Sequence, residues 1–508
     1  MILTKKNIPL IAKVAELEIP GEKLFSLPEK VLQFGTGVLL RGLPDYFIDK
    51  ANKQGLFNGR IVIVKSTAHG DTAAFSNQDC LYTQCVRGIE NGRQVNEAII
   101  NAAVSRILTA TDQWLEVLEC AANPQLQLVI SNTTEVGIAL LNNDNVHAAP
   151  PVSFPGKLLA FLLERYKHFN GSIDSGLVII PTELITENGN KLKQIVLELA
   201  KQNRLDEAFI SWLHTANQFC NSLVDRIVPG KLPPADKAAT AGRLGYRDDE
   251  MIMSETYRLW AIETADERTK NILSFSKADT GVVLARDINK FRELKLRLLN
   301  GSHTFTCALA LQMGFTTVKE AMADAAFFSF ISRLMDEEIV PAIVSDTVSV
   351  DDARRFAVQV LDRYKNPFIE HNWLSISLQY SSKMKMRNVP VLQQFYAKRT
   401  TVPRHMALGF AAYLLFMKSA KDSGHSFTGS IGGKQYVIND DKAAALHELW
   451  GSGNTDNFVA QVLKNTSLWG TDLGELAGFG TAVTESITII EQDGIAAALQ
   501  KVQAQQSN

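Results

Sequence analysis

A short apolar run, Val31-Leu-Gln-Phe34, ends in Gly35-Thr36-Gly37 and gives way at once to Val38-Leu-Leu-Arg41, which reads as the start of a helix. Strand, glycine turn and helix in that order belong to a parallel sheet, because a parallel neighbour is reached only through a crossover. The pattern recurs. Arg60-Ile-Val-Ile-Val64, Leu126-Gln-Leu-Val-Ile130 and Gly176-Leu-Val-Ile-Ile180 are apolar runs of strand length, and helical periodicity marks residues 157–168, 191–201 and 206–219. From about residue 286 the strand pattern fades. Residues 318–335, 350–364, 403–418, 442–450 and 457–463 read as helices, as does the end of the chain. The expected fold is α/β: a Rossmann-type N-terminal domain over residues 1–285, then a mostly α-helical domain over 286–508, within the two or three domains that this length suggests. Residues 422–436 are rich in glycine and serine and predict an exposed loop or hairpin; residues 499–508 predict a frayed Gln-rich tail.

Composition narrows the function classes. With 46% apolar residues, 21% charged residues and a formal charge of -2, the chain has the balance of a soluble globular protein. Dispersed charge of both signs gives no reason to expect nucleic acid or a membrane surface as a partner. The first residues lack the apolar run of a signal peptide, and no stretch approaches the length of a membrane span. Five scattered cysteines without a C-x-x-C pair indicate neither a disulfide framework nor a cysteine metal site, so a reducing cytoplasm is expected and no metal.

The Phe34-Gly35-Thr36-Gly37 turn has two readings. As a cofactor loop, Gly35 permits the tight turn and Gly37 lets a pyrophosphate approach the backbone. As an ordinary strand-to-helix turn it needs no ligand; the third glycine of the usual fingerprint is replaced by Leu40. The second strand ends in Lys65, where an NAD site usually carries an acid for the ribose, so NADP stays open beside NAD. Ser131-Asn132-Thr133-Thr134-Glu135 follows another strand and suits either a cofactor site or a helix cap. Asp225-Arg226 lies inside an apolar run and must be satisfied by an internal ion pair, the expected case, or by a ligand.

The densest polar constellation is Leu294-Lys-Leu-Arg-Leu-Leu-Asn-Gly-Ser-His-Thr304. On an α-helix, with roughly 100° per residue, Lys295, Asn300 and His303 fall within an arc of about 140°. Leu294, Leu298 and Leu299 would then anchor the segment while the three polar groups face a cleft. A lysine in partly apolar surroundings has its charged form disfavoured and becomes suited to proton transfer. Asn300 and His303 each offer a hydrogen-bond donor for one substrate oxygen. The alternative is a helix that ends at Asn300-Gly301 behind a polar cap.

The K-x-x-x-x-N-x-x-H spacing of Lys295 to His303 resembles the signature of the polyol-specific long-chain dehydrogenases, the mannitol dehydrogenase family. Val224-Asp-Arg-Ile-Val-Pro229 is similar to that family's V-D-R-I-x-P block, and the Gly35/Gly37 turn stands where its cofactor loop stands. Six blocks (L-Q-F-G at 32–35, S-N-T-T-E at 131–135, I-I-P-T-E-L-I at 179–185, N-S-L-V-D-R-I-V at 221–228, L-L-N-G-S-H-T at 298–304, N-P-F-I-E-H at 366–371) resemble most closely its uronate branch, which interconverts D-tagaturonate and D-altronate.

The resemblance implies an NAD-linked, zinc-independent oxidoreductase with a sugar-acid substrate; relatives acting on fructuronate or mannitol are the alternatives, and a non-catalytic nucleotide sensor is the other class considered. It implies Lys295 as acid/base, Asn300 and His303 on the substrate oxygen, a cofactor site of Phe34, Gly35, Thr36, Gly37, Asn132, Thr133 and Asp225, and Glu183 and Arg226 near the substrate. One departure stands out: Leu184 occupies the position of the polyol enzymes' substrate-binding asparagine. A uronate needs a cation for its carboxylate. Lys383, Lys385 and Arg387 would share one side if their segment were extended, as a substrate site or as a solvated face. His371 is expected either at the cleft wall or as a satisfied core histidine. The oligomeric state is not legible.

Overall fold

The computed structural model describes residues 1–66, 72–133, 137–421, 426–451 and 454–504. Two compact units divide the chain: Met1–Gly88 with Gln94–Ile288, and Ile89–Arg93 with Asn289–Asn508. The passage from one to the other thus falls after Ile288 rather than after residue 285, because the strand Val282–Ala285 pairs into a sheet of the first unit.

In the N-terminal unit, Glu29–Phe34, Arg60–Lys65, Val104–Thr109, Leu128–Ser131, Val178–Pro181 and Gln218–Phe219 form a six-stranded sheet, parallel throughout. Taken in chain order, its spatial order is third, second, first, fourth, fifth, sixth. This is the Rossmann arrangement, with its switch point between the first and fourth strands. The second, fourth and fifth strands are buried at every position, which explains why they read as continuous apolar runs. Alternate side chains still divide between faces. Leu32, Phe34, Val62, Val64 and Val129 pack with Leu158, Phe161, Leu162 and Val196. Val31, Ile61, Ile63 and Ile130 pack with Phe47, Ile48, Trp260 and Phe275.

A hairpin of Tyr82–Glu90 and Arg93–Asn101 is inserted between the second and third strands. It turns at Asn91 and Gly92, both at positive φ, the turn chemistry that Asn-Gly provides. It joins Leu17–Glu18, Ile252–Ser254 and Gly230–Lys231 in a five-stranded sheet, and Ser222–Asp225, Leu259–Glu263 and Val282–Ala285 make a further sheet.

Among its described residues the C-terminal unit is mostly helical, with a small three-stranded sheet. The run expected over 318–335 divides, because Asp324 leaves helical geometry and caps Ala325–Arg333 through the Phe327 N–H. Within the glycine-rich stretch, Phe427–Ile431 and Lys434–Val437 form an antiparallel hairpin; residues 422–425 lie outside the described residues. The expected fraying from 499 is corrected. Ile495–Ala504 is a helix that buries Leu499 and Val502, while 505–508 lie outside the described residues. No described helix is long and apolar enough to cross a membrane.

Candidate active site

At the switch point of the N-terminal unit, the Gly35 N–H donates to the Val64 carbonyl and the Asn132 N–H to the Phe34 carbonyl (3.0 and 3.1 Å). Gly35 has φ +125°, and a Cβ there would sit 2.8 Å from the Asn132 oxygen and 2.9 Å from Leu40 Cδ1. The strand ends therefore pass too closely for any side chain. Gly37 differs: nothing lies within 4 Å of where its Cβ would be, and with Thr36 it is exposed. A closed floor at Gly35 beneath an open approach at Gly37 fits a dinucleotide pyrophosphate.

The end of the fourth strand is laced to the fifth. Asn132 Nδ2 donates to the Thr182 carbonyl and hydroxyl. The Thr133 N–H and hydroxyl both donate to Glu183 Oε1 (2.9 and 3.0 Å), and Ser131 donates to Oε2. Glu183, expected near the substrate, is buried and holds this strand end; burial pushes its carboxyl up against those hydrogen bonds. Asn188, which sequence reasoning missed, donates to the carbonyls of Pro181, Glu183 and Ser222 and fixes the turn beyond. Leu184 is exposed. Lys65 is buried at the end of the second strand, and Thr67, Thr134 and Glu135 lie outside the described residues.

Two further expected site residues are buried. Asp225 is buried at the end of Ser222–Asp225, paired with Leu259 in a sheet separate from the Gly35–Asn132 contact. Arg226, expected near the substrate, is engaged by backbone within the fold. Its Nε and Nη2 donate to the Glu255 carbonyl and its Nη1 to the Gly42 carbonyl (2.7–3.0 Å), and it lies over the Tyr46 ring at 4.5 Å. Backbone carbonyls, not the expected ion pair, satisfy this buried cation.

In the C-terminal unit one continuous helix carries the K-x-x-x-x-N-x-x-H residues: Asn289–Leu294 is α, Lys295–Gly301 is π, and Ser302–Gln312 is α again. The α-helical arc predicted for Lys295, Asn300 and His303 is thus replaced by a widened turn with i→i+5 bonding. The helix does not end at Asn300-Gly301; Gly301 is helical at φ −68°. Leu294, Leu298 and Leu299 are buried as anchors, while Lys295 and Asn300 are half-buried. A second π turn, Met384–Asn388, locks onto the first. Arg297 donates to the carbonyls of Met386 and Arg387, and Asn388 donates to that of Gly301.

His303 is buried, its ring stacked on Tyr364 (centroids 4.0 Å, 15°) and met edge-on by His371 (5.1 Å) and Trp373 (5.7 Å). Burial first, then the charges of His371, Arg363, Arg387 and Lys383, hold its pKa well below the ordinary value, so the ring is neutral near pH 7. Its Nε2 has no hydrogen-bond partner among the described residues. His371 is thereby brought to His303, half-buried and itself shifted down by burial.

The Lys383–Arg387 segment is helical, not extended, because the Ser381 N–H donates to Asp440 and Met384–Asn388 continues the turn as π. Lys383 and Arg387 are half-buried and Lys385 is exposed. Arg387 Nη1 donates to Thr304, next to His303 (3.2 Å). Tyr364 and Trp373, which pack on His303, and Thr304, which holds Arg387, were not singled out in the sequence reading. Tyr364 and Trp373 flank the N-P-F-I-E-H block, which was the available signal.

Comparison with known proteins bears on both units. The mannitol dehydrogenase Rossmann domain model matches residues 29–273, and the mannitol dehydrogenase C-terminal domain model matches 287–491. Altronate oxidoreductases are similar over nearly the whole length: that of Halalkalibacterium halodurans is 38% identical, covering 94% of each chain, and that of Bacillus subtilis is 36% identical, covering 93% of this chain and 95% of its own. The Shigella flexneri protein of the same name is 35% identical, covering 95% and 98%. Among solved structures, Pseudomonas fluorescens mannitol 2-dehydrogenase in a ternary complex with NAD and D-mannitol aligns over 99% of this chain and 100% of its own, with 21% identity and a TM-score of 0.66. A substrate-free D-sorbitol dehydrogenase aligns over 98% and 100%, with 19% identity and a TM-score of 0.78. At these identities the two structures speak to the fold alone.

Proposed function

This chain belongs to the mannitol dehydrogenase family, and from that premise we propose that it is an NAD-dependent oxidoreductase that reduces D-tagaturonate to D-altronate and runs reversibly. Near-full-length similarity to altronate oxidoreductases, at 35–38% identity, is the observation that carries the substrate. The parallel sheet with its tight Gly35–Asn132 crossing supports the dinucleotide.

When bound, the nicotinamide supplies or accepts the hydride at the carbonyl carbon. The residues of this chain manage the oxygen. The Lys295 ammonium gives its proton to the oxygen as negative charge develops there, and solvent returns one to the amine. In the oxidative direction the neutral amine takes the hydroxyl proton. Asn300, through its amide, and His303, through the unpartnered Nε2, donate hydrogen bonds to that same oxygen; each such donor contributes about 2–4 kcal/mol where charge builds. A neutral His303 suits this role, because it adds a donor without a second proton that competes with Lys295. The π turn has a part here: it sets Lys295 and Asn300 on a helix whose register is fixed by Arg297 and Asn388 rather than by an α repeat.

The test is a panel of D-tagaturonate, D-fructuronate and D-fructose assayed with NADH and NADPH. The reading expects the highest kcat/KM with tagaturonate and NADH. Preference for fructuronate or fructose overturns the substrate, preference for NADPH overturns the cofactor, and no turnover with any of the three overturns the enzyme reading.

A further inference from the structure

The proposed substrate is an acid, and the C-terminal unit holds two cations whose charge is not spent on carboxylates. Among the described residues neither Lys383 nor Arg387 forms a salt bridge. Lys383 Nζ donates once, to the Ile376 carbonyl (2.8 Å). Arg387 donates once, from Nη1 to the Thr304 hydroxyl (3.2 Å), and its Nε–H is buried with no acceptor. Because Thr304 engages Nη1, the edge formed by Nε and Nη2 is left without a partner, and that edge matches the two oxygens of a carboxylate. A buried donor without an acceptor is costly; a ligand oxygen would relieve it.

The setting is specific. Thr304, which holds Arg387, directly follows His303, and Asn388 and Arg297 bind the two π turns to each other. The arginine is therefore carried by the same framework that carries Lys295, Asn300 and His303. Lys383 stands four residues before Arg387 on the same helical segment, on the side away from the exposed Lys385.

We infer that Arg387, through its Nε–Nη2 edge, and Lys383 form the subsite for the substrate's carboxylate, and that this pair selects a sugar acid over a neutral ketose. The inference rests on the proposed function and names the recognition element within it. Burial is the main reason that His303 stays unprotonated, and the charges of both cations add to it after those of His371 and Arg363.

The experiment measures kcat/KM for D-tagaturonate and for a neutral ketohexose with wild-type protein, Arg387→Lys, Arg387→Gln and Lys383→Met, with thermal melting as the check on folding. The acid-to-neutral ratio should fall roughly 10–100-fold in Arg387→Gln, the loss expected of a hydrogen bond to a charged group. It should fall less in Arg387→Lys, which keeps charge but not the fork, and several-fold in Lys383→Met. An unchanged ratio in folded Arg387→Gln and Lys383→Met, or equal losses for acid and ketose, overturns the subsite while leaving the proposed function standing. Wild-type protein that uses the neutral ketose and ignores the acid overturns both.

Discussion

Asp45→Asn should make the N-terminal unit more stable in alkali and leave it nearly unchanged in acid. Asp45 lies in the first turn of Pro44–Lys53 with no exposed surface. Among the described residues its one side-chain partner is Gln33, whose Nε2 donates to Oδ2 at a long 3.4 Å, and Asp45 Oδ1 and Gln33 Oε1 are both buried without partners there. Burial pushes the carboxyl up to about 8, opposed by Gln33 and Arg41 and reinforced by Asp49. The unfolded carboxyl titrates near its ordinary value, 3.8. Between those two values the folded state holds a proton that the unfolded state has lost, so stability falls as pH rises, by up to 1.36 kcal/mol per unit. Over roughly four units the upper bound is about 5 kcal/mol. At about 2 °C per kcal/mol for a unit of this size, the gap in Tm approaches about 10 °C. Asparagine keeps the shape and removes the titration. Calorimetry at pH 5 and pH 8.5 should show Asp45→Asn melting about 3 °C above wild type at the lower pH, where about one unit of the linkage has already acted, and about 10 °C above it at the upper. The same Tm difference at both values would refute the reasoning, because it would mean that no proton is linked to folding through this side chain.

Two further substitutions probe the N-terminal unit. Gly35→Ala should cost about 2–4 kcal/mol, from a positive φ and a Cβ 2.8 Å from the Asn132 oxygen, and should raise the Kd for NADH at least tenfold, measured by fluorescence titration. Arg226→Lys should lower the Tm by several degrees, since an ammonium cannot reproduce the three bonds to Gly42 and Glu255. KM for the keto acid should stay within about twofold if those carbonyl contacts are the role of Arg226.

How much of this was legible in the chain depends on whether local pattern or tertiary contact sets the geometry. The central strands announced themselves because Ile61, Ile63, Val129 and Ile180 are buried on both faces, and Gly35 because its turn admits no side chain. The inserted hairpin went unread because its outer strand, Arg93–Asn101, is exposed over its first half and carries a polar sequence; the Asn91-Gly92 turn was its one clear mark. The π turns were not legible at all. Lys295–Gly301 follows an α-compatible pattern, and the bonds that tie this turn to the second one, from Arg297 to the carbonyls of Met386 and Arg387, are contacts that no local spacing can state. The same holds for Glu183 and Arg226. Each belongs to a block that resembles a ligand site, yet Glu183 accepts from the Thr133 N–H and the Ser131 and Thr133 hydroxyls while Arg226 donates to backbone carbonyls, and only the partners reveal it. Lys383 and Arg387 could be named as cations from sequence, but their lack of carboxylate partners is a property of the fold.

The account rests most heavily on Lys295 as the proton donor, and Lys295→Ala measured by steady-state NADH oxidation with tagaturonate tests it most directly. The predicted result is a fall in kcat of about 10²–10⁴, typical for loss of a general acid, with the Kd for NADH unchanged. Turnover at the wild-type rate in a folded Lys295→Ala protein would contradict it.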